Sequence, residues 1–275
     1  VEVKDGDTRS LGYHNLKFVF TPWVHWPETM MSYDTTDGVL FSGDAFGMFG
    51  ATDGGVFDDQ VDFARYESEM RRYYSNIVGK YSGMVQKALA KLSSARIGAI
   101  CPLHGLVWRS DPARVIGLYD RWSRYEADDA AVVIYASMYG NTAQMADHIA
   151  RRIAEAGVRD IRVYDVSKTH VSYLISEIWR CRGVLLGSCA YNTQMFPLME
   201  NLTRDLLHAG PKDRLLGVFG TYSWNGGGVK NLNAFAEQIG WETVAPSAEI
   251  LGRPTCEKYA ACDALADAMA CRLKK

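Results

Sequence analysis

The sequence has no long hydrophobic run, no excess of charge of one sign and no lysine-bearing phosphate loop. No apolar stretch approaches the roughly 20 residues that a membrane-spanning helix needs. The 30 Lys and Arg residues nearly balance the 32 Asp and Glu residues, which leaves a formal net charge of −2. Because nucleic-acid-binding domains carry a basic surface, the sequence predicts a protein that binds neither nucleic acid nor membrane.

Paired-cysteine motifs are also absent. The six cysteines are scattered, with no C-x-x-C pair, so we expect reduced, mostly buried thiols in a cytoplasmic protein. A disulfide or metal site from Cys256 with Cys262, or from Cys262 with Cys271, is the alternative.

The composition is that of a globular protein with room for two domains. Of the 275 residues, 48% are hydrophobic and 23% are charged, which are ordinary proportions. The polar joint Ala127-Asp128-Asp129 separates two differently patterned halves, and we predict domains at 1–127 and 128–275. The chain opens at Val1 in a charged, turn-like stretch, which suggests that an earlier part is missing.

The most informative stretch runs from Ala130 to Gly157. An apolar run, Ala131 to Ala136, ends in Ser137-Met138-Tyr139-Gly140-Asn141-Thr142, and helical periodicity follows. A buried strand, a polar loop and a helix N-terminus together present hydroxyls, free N–H groups and a positive dipole end to one point. The loop therefore predicts a phosphate site. An ordinary turn with Thr142 as N-cap is the alternative.

The loop is predicted to suit a monophosphate ester better than a triphosphate. The loop has no Lys for a triphosphate and no dinucleotide glycine pattern. Its residues Ser137-x-Tyr139-Gly140-Asn141-Thr142 resemble the FMN phosphate loop of flavodoxins. That resemblance implies a flavodoxin-like, doubly wound α/β domain with a five-stranded parallel sheet in the order 2-1-3-4-5.

Strands of the same sheet are predicted at 183–189 and 215–220, and a weak fifth strand is predicted at 242–245. The first two of these strands are each followed by a further loop of interest. The aromatic, small polar and glycine residues of these loops suit a flat, amphipathic ring, and the loops resemble isoalloxazine-binding loops. A solvated turn is the alternative for each. The predicted ring-binding residues are Ser188, Cys189, Ala190, Tyr191, Asn192, Thr193, Thr221, Tyr222, Ser223, Trp224, Asn225, Gly226 and Gly227.

In the first half, a potential metal ligand follows each of three short strands. These ligands are His25, Asp44 and His104. A carboxylate with two imidazoles suits Fe or Zn, although each residue singly has a structural explanation. A long helical stretch is predicted from about Val61 to Leu92, broken or bent at Gly79 and Gly83, with an aromatic stripe assigned to the core.

Three motifs in this half resemble the flavodiiron proteins: His25-Trp26-Pro27, Ser42 to Gly47, and Pro102-x-His104-Gly105-x-x-Trp108-Arg109. The resemblance implies the C-terminal part of a metallo-β-lactamase-like αββα domain with a diiron site. By this resemblance His25 ligates one iron, His104 ligates the other and Asp44 bridges the two. No catalytic residue beyond these ligands is predicted.

One family feature is missing from the sequence. The family's earlier His-x-Glu-x-Asp-His motif occurs nowhere in the chain. We therefore expect an incomplete metal site, an uncovered apolar sheet face and a fragment of a longer enzyme.

The resemblance implies an oxidoreductase that passes electrons from FMN to a diiron site, which reduces O2 to water or NO to N2O. It further implies a rubredoxin-like or NAD(P)H-dependent electron donor and a head-to-tail homodimer. Two other readings remain open: an FMN-binding electron-transfer module with a vestigial metal site, and a zinc hydrolase. Metal analysis with a flavin absorption spectrum separates the three.

Overall fold

The computed structural model describes residues 2–274. By backbone contacts the chain divides into two compact units, with the division between Glu126 and Ala127. Val1 and Lys275, the outer ends of the predicted domain ranges, lie outside the described residues. The assignment of 1–127 and 128–275 as two domains stays a prediction.

The first unit contains one five-stranded sheet in the order β1-β2-β3-β4-β5, antiparallel up to β4 and parallel between β4 and β5. Its strands are β1 (Thr8–Ser10), β2 (Asn15–Phe20), β3 (Met30–Asp34), β4 (Val39–Gly43) and β5 (Ala99–Pro102). Its helices are α1 (Phe63–Tyr73), α2 (Ser82–Leu92) and α3 (Pro112–Ser123).

Helix starts in this unit follow capping chemistry. The Asp62 carboxylate accepts from the Ala64 N–H to begin α1, and Asp111 does the same for Arg114 in α3. The helical stretch predicted over 61–92 is interrupted: a π-helical turn at Tyr74–Val78 and a 3-10 turn at Gly79–Tyr81 separate α1 from α2. Of the two predicted bend positions, Gly79 lies in this break and Gly83 lies inside α2.

The two faces of the first sheet differ in burial. Met31, Leu40 and Ile100 are buried on one face. On the other face Ser32 pairs with Phe41 across the strands, and the Phe41 side chain is 48% exposed. The side chain of Met30 is 42% exposed beside it. One face of this sheet is therefore apolar and open within the described residues.

The second unit is an α/β structure with strands β6 (Asp128–Ala136), β7 (Ile161–Asp165), β8 (Cys181–Tyr191), β9 (Gln194–Met195), β10 (Leu215–Tyr222), β11 (Glu242–Thr243) and β12 (Ala248–Leu251). Its helices are α4 (Asn141–Glu155), α5 (Val171–Arg180), α6 (Pro197–Ala209), α7 (Gly228–Ile239) and α8 (Ala260–Leu273). The sheet order β11-β10-β8-β6-β7 confirms the predicted order 2-1-3-4-5.

The fifth strand position is divided. β11 and β12 both pair in parallel with β10, at its beginning and at its end respectively. The predicted strand at 242–245 is therefore shorter than expected, and the main pairing comes later in the chain.

The parallel sheet is covered on both faces because its side chains alternate. Val132 and Ile134 pack into one apolar cluster with α5, α6 and α7. Ala131 and Val133 pack into the other with α4 and α8. This burial explains the near-continuous apolar strand in the sequence. Among the described residues, no helix has the length and hydropathy to cross a membrane.

Candidate functional site

The loop between β6 and α4 is shaped as an anion site. Gly140 adopts a φ of +85°, which favours glycine, and serves as the N-cap of α4. Its N–H donates to the Ser137 Oγ at 3.1 Å. The first amides of α4 and the positive end of its dipole face the loop, as anion binding requires.

Two of the predicted hydroxyls are turned into the protein. Thr142 is fully buried, and its Oγ1 lies 2.8 Å from the Oγ1 of Thr221. Ser188 is also fully buried: its Oγ accepts from the Phe196 N–H at 3.0 Å and donates to the Cys189 carbonyl oxygen at 2.9 Å. These two hydroxyls shape the loops rather than lining the space between them.

The loops after β8 and β10 press closely against each other. A Cβ on Gly227 would lie 2.1 Å from the Thr193 carbonyl oxygen, so only glycine fits at this position. Asn192 and Thr193 both have positive φ values, which form the tight turn into β9.

The three loops line an open cavity of about 90 Å³. Every residue that lines it belongs to the predicted loops. They are Ser137, Met138, Tyr139, Asn141, Cys189, Ala190, Asn192, Thr193, Thr221, Tyr222, Ser223, Trp224 and Asn225. Six predicted residues do not line it: Gly140, Thr142, Ser188, Tyr191, Gly226 and Gly227.

The chemistry of this lining fits FMN. Among the described residues, no Asp, Glu, Lys or Arg lines the cavity, so an anionic phosphate would meet neutral donors and the helix dipole. Tyr139 and Trp224 are 82% and 84% exposed, which leaves ring faces free for stacking. Burial raises the pKa of Cys189, which keeps its thiol protonated at neutral pH.

The second site lies in the first unit, where loops after β2, β4 and β5 bring the three predicted metal ligands together. The Asp44 Oδ2 lies 3.3 Å from the His25 Nε2, and the Asp44 Oδ1 lies 3.2 Å from the His104 Nε2. Each carboxylate oxygen thus faces a different imidazole.

Backbone contacts hold these ligand loops. The Ser42 hydroxyl donates to the Ala45 carbonyl oxygen at 2.7 Å, which closes the turn around Asp44. The Trp108 indole N–H donates to the Phe46 carbonyl oxygen at 2.9 Å. The Met48 N–H donates to the His104 carbonyl oxygen at 3.3 Å. The loop of His104 is therefore tied to the loop of Asp44.

The three ligands do not close around a single point. Among the described residues, no choice of one ligand atom from each of them falls within 4.8 Å of the others. A carboxylate that faces two separated imidazoles fits a bridge between two metal ions better than one ion. The His104 side chain is 53% exposed, so the site is open on its side.

Sequence reasoning missed two tyrosines beside this site. Tyr73 and Tyr119 are buried, and within the part of the chain that the structure describes the Tyr73 hydroxyl has no hydrogen-bond partner. Burial raises the pKa of both, and the charge of Asp44 raises it further. The Tyr73 ring lies 5.8 Å from the His104 ring between centroids. Tyrosine rather than phenylalanine in a buried stripe was the available signal.

The sequence analysis also missed a cluster of three residues that could ligate a metal ion. His14, Asp34 and Asp37 can place one ligand atom each within 4.8 Å of one another. The His14 Nδ1 lies 2.7 Å from the Asp34 Oδ2, an ordinary ion-pair distance. This group is explained as a partly exposed ion pair.

Comparisons with known proteins match a different family model on each side of the division between Glu126 and Ala127. Residues 1–105 match the family model described as ODP family beta lactamase, and residues 133–263 match the one described as Flavodoxin. The anaerobic nitric oxide reductase flavorubredoxin of Escherichia coli O1:K1 / APEC is 34% identical over 244 residues, which are 87% of this chain and 51% of the relative. That of Vibrio vulnificus (strain YJ016) is 36% identical over 88% of this chain and 49% of the relative. The chain spans about half the length of these curated relatives.

Solved structures give the same result at the level of the fold. The rubredoxin oxygen:oxidoreductase of Desulfovibrio gigas matches with a TM-score of 0.93 at 29% identity, over 99% of this chain and 68% of that one. The flavodiiron protein of Giardia intestinalis matches with a TM-score of 0.94 at 25% identity, over 100% of this chain and 68% of that one.

Proposed function

The chain belongs to the flavodiiron proteins, and from this premise we propose that it is part of an oxidoreductase that passes electrons from FMN to a non-haem diiron site. That site reduces O2 to water or NO to N2O. The observation that carries the proposal is the Asp44 carboxylate between two imidazoles, in a chain that also contains an uncharged cavity lined by the predicted flavin-binding loops. A simple flavodoxin-like carrier has no use for such a set of metal-ligating side chains.

The residues of the second unit would hold FMN by its two ends. The amides of the loop from Ser137 to Thr142 and the α4 dipole neutralise the phosphate, and the loops after β8 and β10 bind the ring. FMN, when bound, supplies both one- and two-electron transfer. The protein excludes charge from the cavity and orients the cofactor.

In the first unit, Asp44 would bridge two metal ions while His25 and His104 each bind one. These three residues leave most coordination positions open, so additional ligands are required for tight binding. The resemblance implies that those ligands come from a His-x-Glu-x-Asp-His segment. We propose that such a segment packs on the open sheet face that carries Met30 and Phe41.

Cofactor analysis of the purified chain tests the proposal. We expect a flavin absorption spectrum with about one FMN per chain, and iron that binds weakly unless the missing ligands are supplied. Replacement of His104 by Ala should abolish the residual iron binding. Replacement of His14, another partly exposed histidine with an Asp partner, should leave it unchanged. A colourless chain that does not take up FMN would refute the proposal.

A second candidate function is an FMN-binding electron-transfer module with an incomplete metal site. It is favoured by the 53% exposure of the His104 side chain and, among the described residues, by the failure of His25, Asp44 and His104 to bring one ligand atom each within 4.8 Å of one another. It predicts full FMN occupancy, no stoichiometric iron and no consumption of O2 or NO. A zinc hydrolase is disfavoured by the cavity, because hydrolysis needs no flavin.

The electron donor, the cytoplasmic location and the dimer stay proposals. A rubredoxin-like or NAD(P)H-dependent protein would reduce the flavin, and a head-to-tail homodimer would bring the FMN of one subunit to the metal site of the other. Sedimentation of the FMN-loaded chain tests the dimer, which should appear at twice the mass of the 30.7 kDa chain.

A further inference from the structure

The hydrogen bond between the hydroxyls of Thr142 and Thr221 uses only one of their two hydroxyl hydrogens. Their Oγ1 atoms lie 2.8 Å apart, and either can be the donor. Two hydroxyls carry two hydrogens, and one hydrogen bond uses only one of them. Within the described residues, no acceptor is placed for the second hydrogen. Because a buried hydroxyl hydrogen without an acceptor is costly, the pair is suited to a ligand that accepts it.

Burial decides which hydroxyl faces the ligand. Thr142 is fully buried and does not line the cavity, whereas Thr221 does line it. If Thr142 donates to Thr221, the free hydrogen belongs to Thr221 and can point into the cavity. The opposite direction would leave the free hydrogen on a side chain with no access to the ligand.

The position of the pair indicates which end of the ligand it meets. Thr142 is the second residue of α4, in the turn whose free amides mark the phosphate position. The short distance between the two hydroxyls keeps Thr221 at that turn, although its own strand, β10, leads into the loop predicted to bind the ring.

We propose that Thr221 is a phosphate-binding residue that donates its hydroxyl hydrogen to the FMN phosphate, and that Thr142 is a positioning residue that orients this donor. The proposal rests on the proposed FMN site and reassigns Thr221 from the ring to the phosphate. A hydrogen bond to a charged acceptor is stronger than a neutral one, and the Thr142 donor strengthens it by polarising Thr221.

Comparison of FMN with riboflavin, which lacks the phosphate, tests the proposal on the full chain freed of flavin. Flavin fluorescence quenching gives both dissociation constants. Thr221→Val should weaken FMN binding roughly tenfold to a hundredfold, the range for a lost hydrogen bond to a charged group, and leave riboflavin binding nearly unchanged. Thr221→Ser, which keeps the hydroxyl, should restore most of the FMN affinity.

The positioning role of Thr142 is tested by a double-mutant cycle. Thr142→Val should weaken FMN binding less than Thr221→Val does, and it should add little in the double variant because both changes act through one hydrogen bond. Thr203→Val is the matched control, since Thr203 is a buried threonine that bonds to the Glu200 carbonyl oxygen in α6, away from the cavity. It should leave both flavin affinities unchanged.

Three outcomes overturn the inference while the proposed function stands. Equal weakening of FMN and riboflavin by Thr221→Val would show a ring contact or a structural role. Unchanged FMN affinity would show that the hydroxyl does not reach the phosphate. Additive effects of the two substitutions would separate Thr142 from Thr221. A wild-type chain that binds neither flavin would instead refute the proposed function, and this inference with it.

Discussion

The two units of the chain differ in how many faces of their sheet are buried. The flavodoxin-like unit covers both faces of its parallel sheet with helices, and its three loops form a cavity without help from elsewhere. The first unit buries one face and leaves Met30 and Phe41 exposed on the other. The sheet that is covered on both faces carries a cavity lined by its own loops, whereas the sheet with an open face carries three predicted metal ligands.

Truncation of one apolar side chain in each sheet should show the difference in burial most strongly. Leu186 is fully buried in β8, so Leu186→Ala should cost about 2 to 5 kcal/mol of unfolding free energy. Phe41→Ala should cost about 1 kcal/mol or less, because nearly half of that side chain is already in water. Hydrogen exchange of the amides in each sheet measures the two units separately. Equal costs would show that the open face is covered.

The close contact between the loops after β8 and β10 predicts the next largest effect, a loss of FMN affinity. Gly227→Ala should displace the Thr193 carbonyl oxygen and weaken FMN binding roughly tenfold to a hundredfold, since overpacking costs about 1 to 3 kcal/mol. Gly117→Ala is the control, because a Cβ on Gly117 meets nothing within 4 Å. Titration with FMN measures both. Unchanged binding in Gly227→Ala would mean that the loops can move apart freely.

Acid should weaken the first unit through Asp58. Burial acts to raise the pKa of Asp58, but hydrogen bonds from Ser110 and the Arg109 N–H outweigh it and lower the pKa. A lowered folded pKa gives stability that is fully present above the unfolded value of about 4 and is lost as the pH falls through the folded value.

Asp58→Asn therefore should lower stability by about 1 to 3 kcal/mol near pH 7, and the gap from wild type should shrink below about pH 4. Urea unfolding across this pH range measures the gap. A gap that stays constant down to pH 2 would show that the charge of Asp58 is not responsible.

Two adjacent tyrosines, of which Tyr73 lies beside the predicted metal ligand His104, should respond differently to loss of the hydroxyl. Tyr74→Phe removes a buried hydrogen bond to the Ser82 Oγ at 2.9 Å and should cost about 1 kcal/mol. Tyr73→Phe removes a buried hydroxyl without a partner among the described residues, and should leave stability unchanged or raise it by up to about 1 kcal/mol. Thermal unfolding compares the two. A loss in Tyr73→Phe would indicate an ordered water or ligand at its hydroxyl.

Prediction from sequence was most successful where a local pattern carries the information. The apolar strand before Ser137, the glycine at position 140 and the helical period after Thr142 are contiguous, so strand, loop and helix could be read directly. The strand order, in contrast, came from the resemblance to flavodoxins and not from a local pattern. The strands at Thr8–Ser10, Met30–Asp34 and Ala248–Leu251 were missed, because short strands with polar or mixed residues have little periodicity.

The sequence by itself determined which chemical groups stand at the ends of the strands: a hydroxyl-rich loop without a cation, aromatic loops with glycines, and a carboxylate with two histidines. Only the tertiary structure decided how these groups face one another. It put Asp44 beside His104, 60 residues away in sequence, and hid Thr142 behind Thr221, 79 residues away. The physical reason is that local periodicity encodes which side chains are buried, whereas contacts between distant segments depend on how whole strands and helices pack.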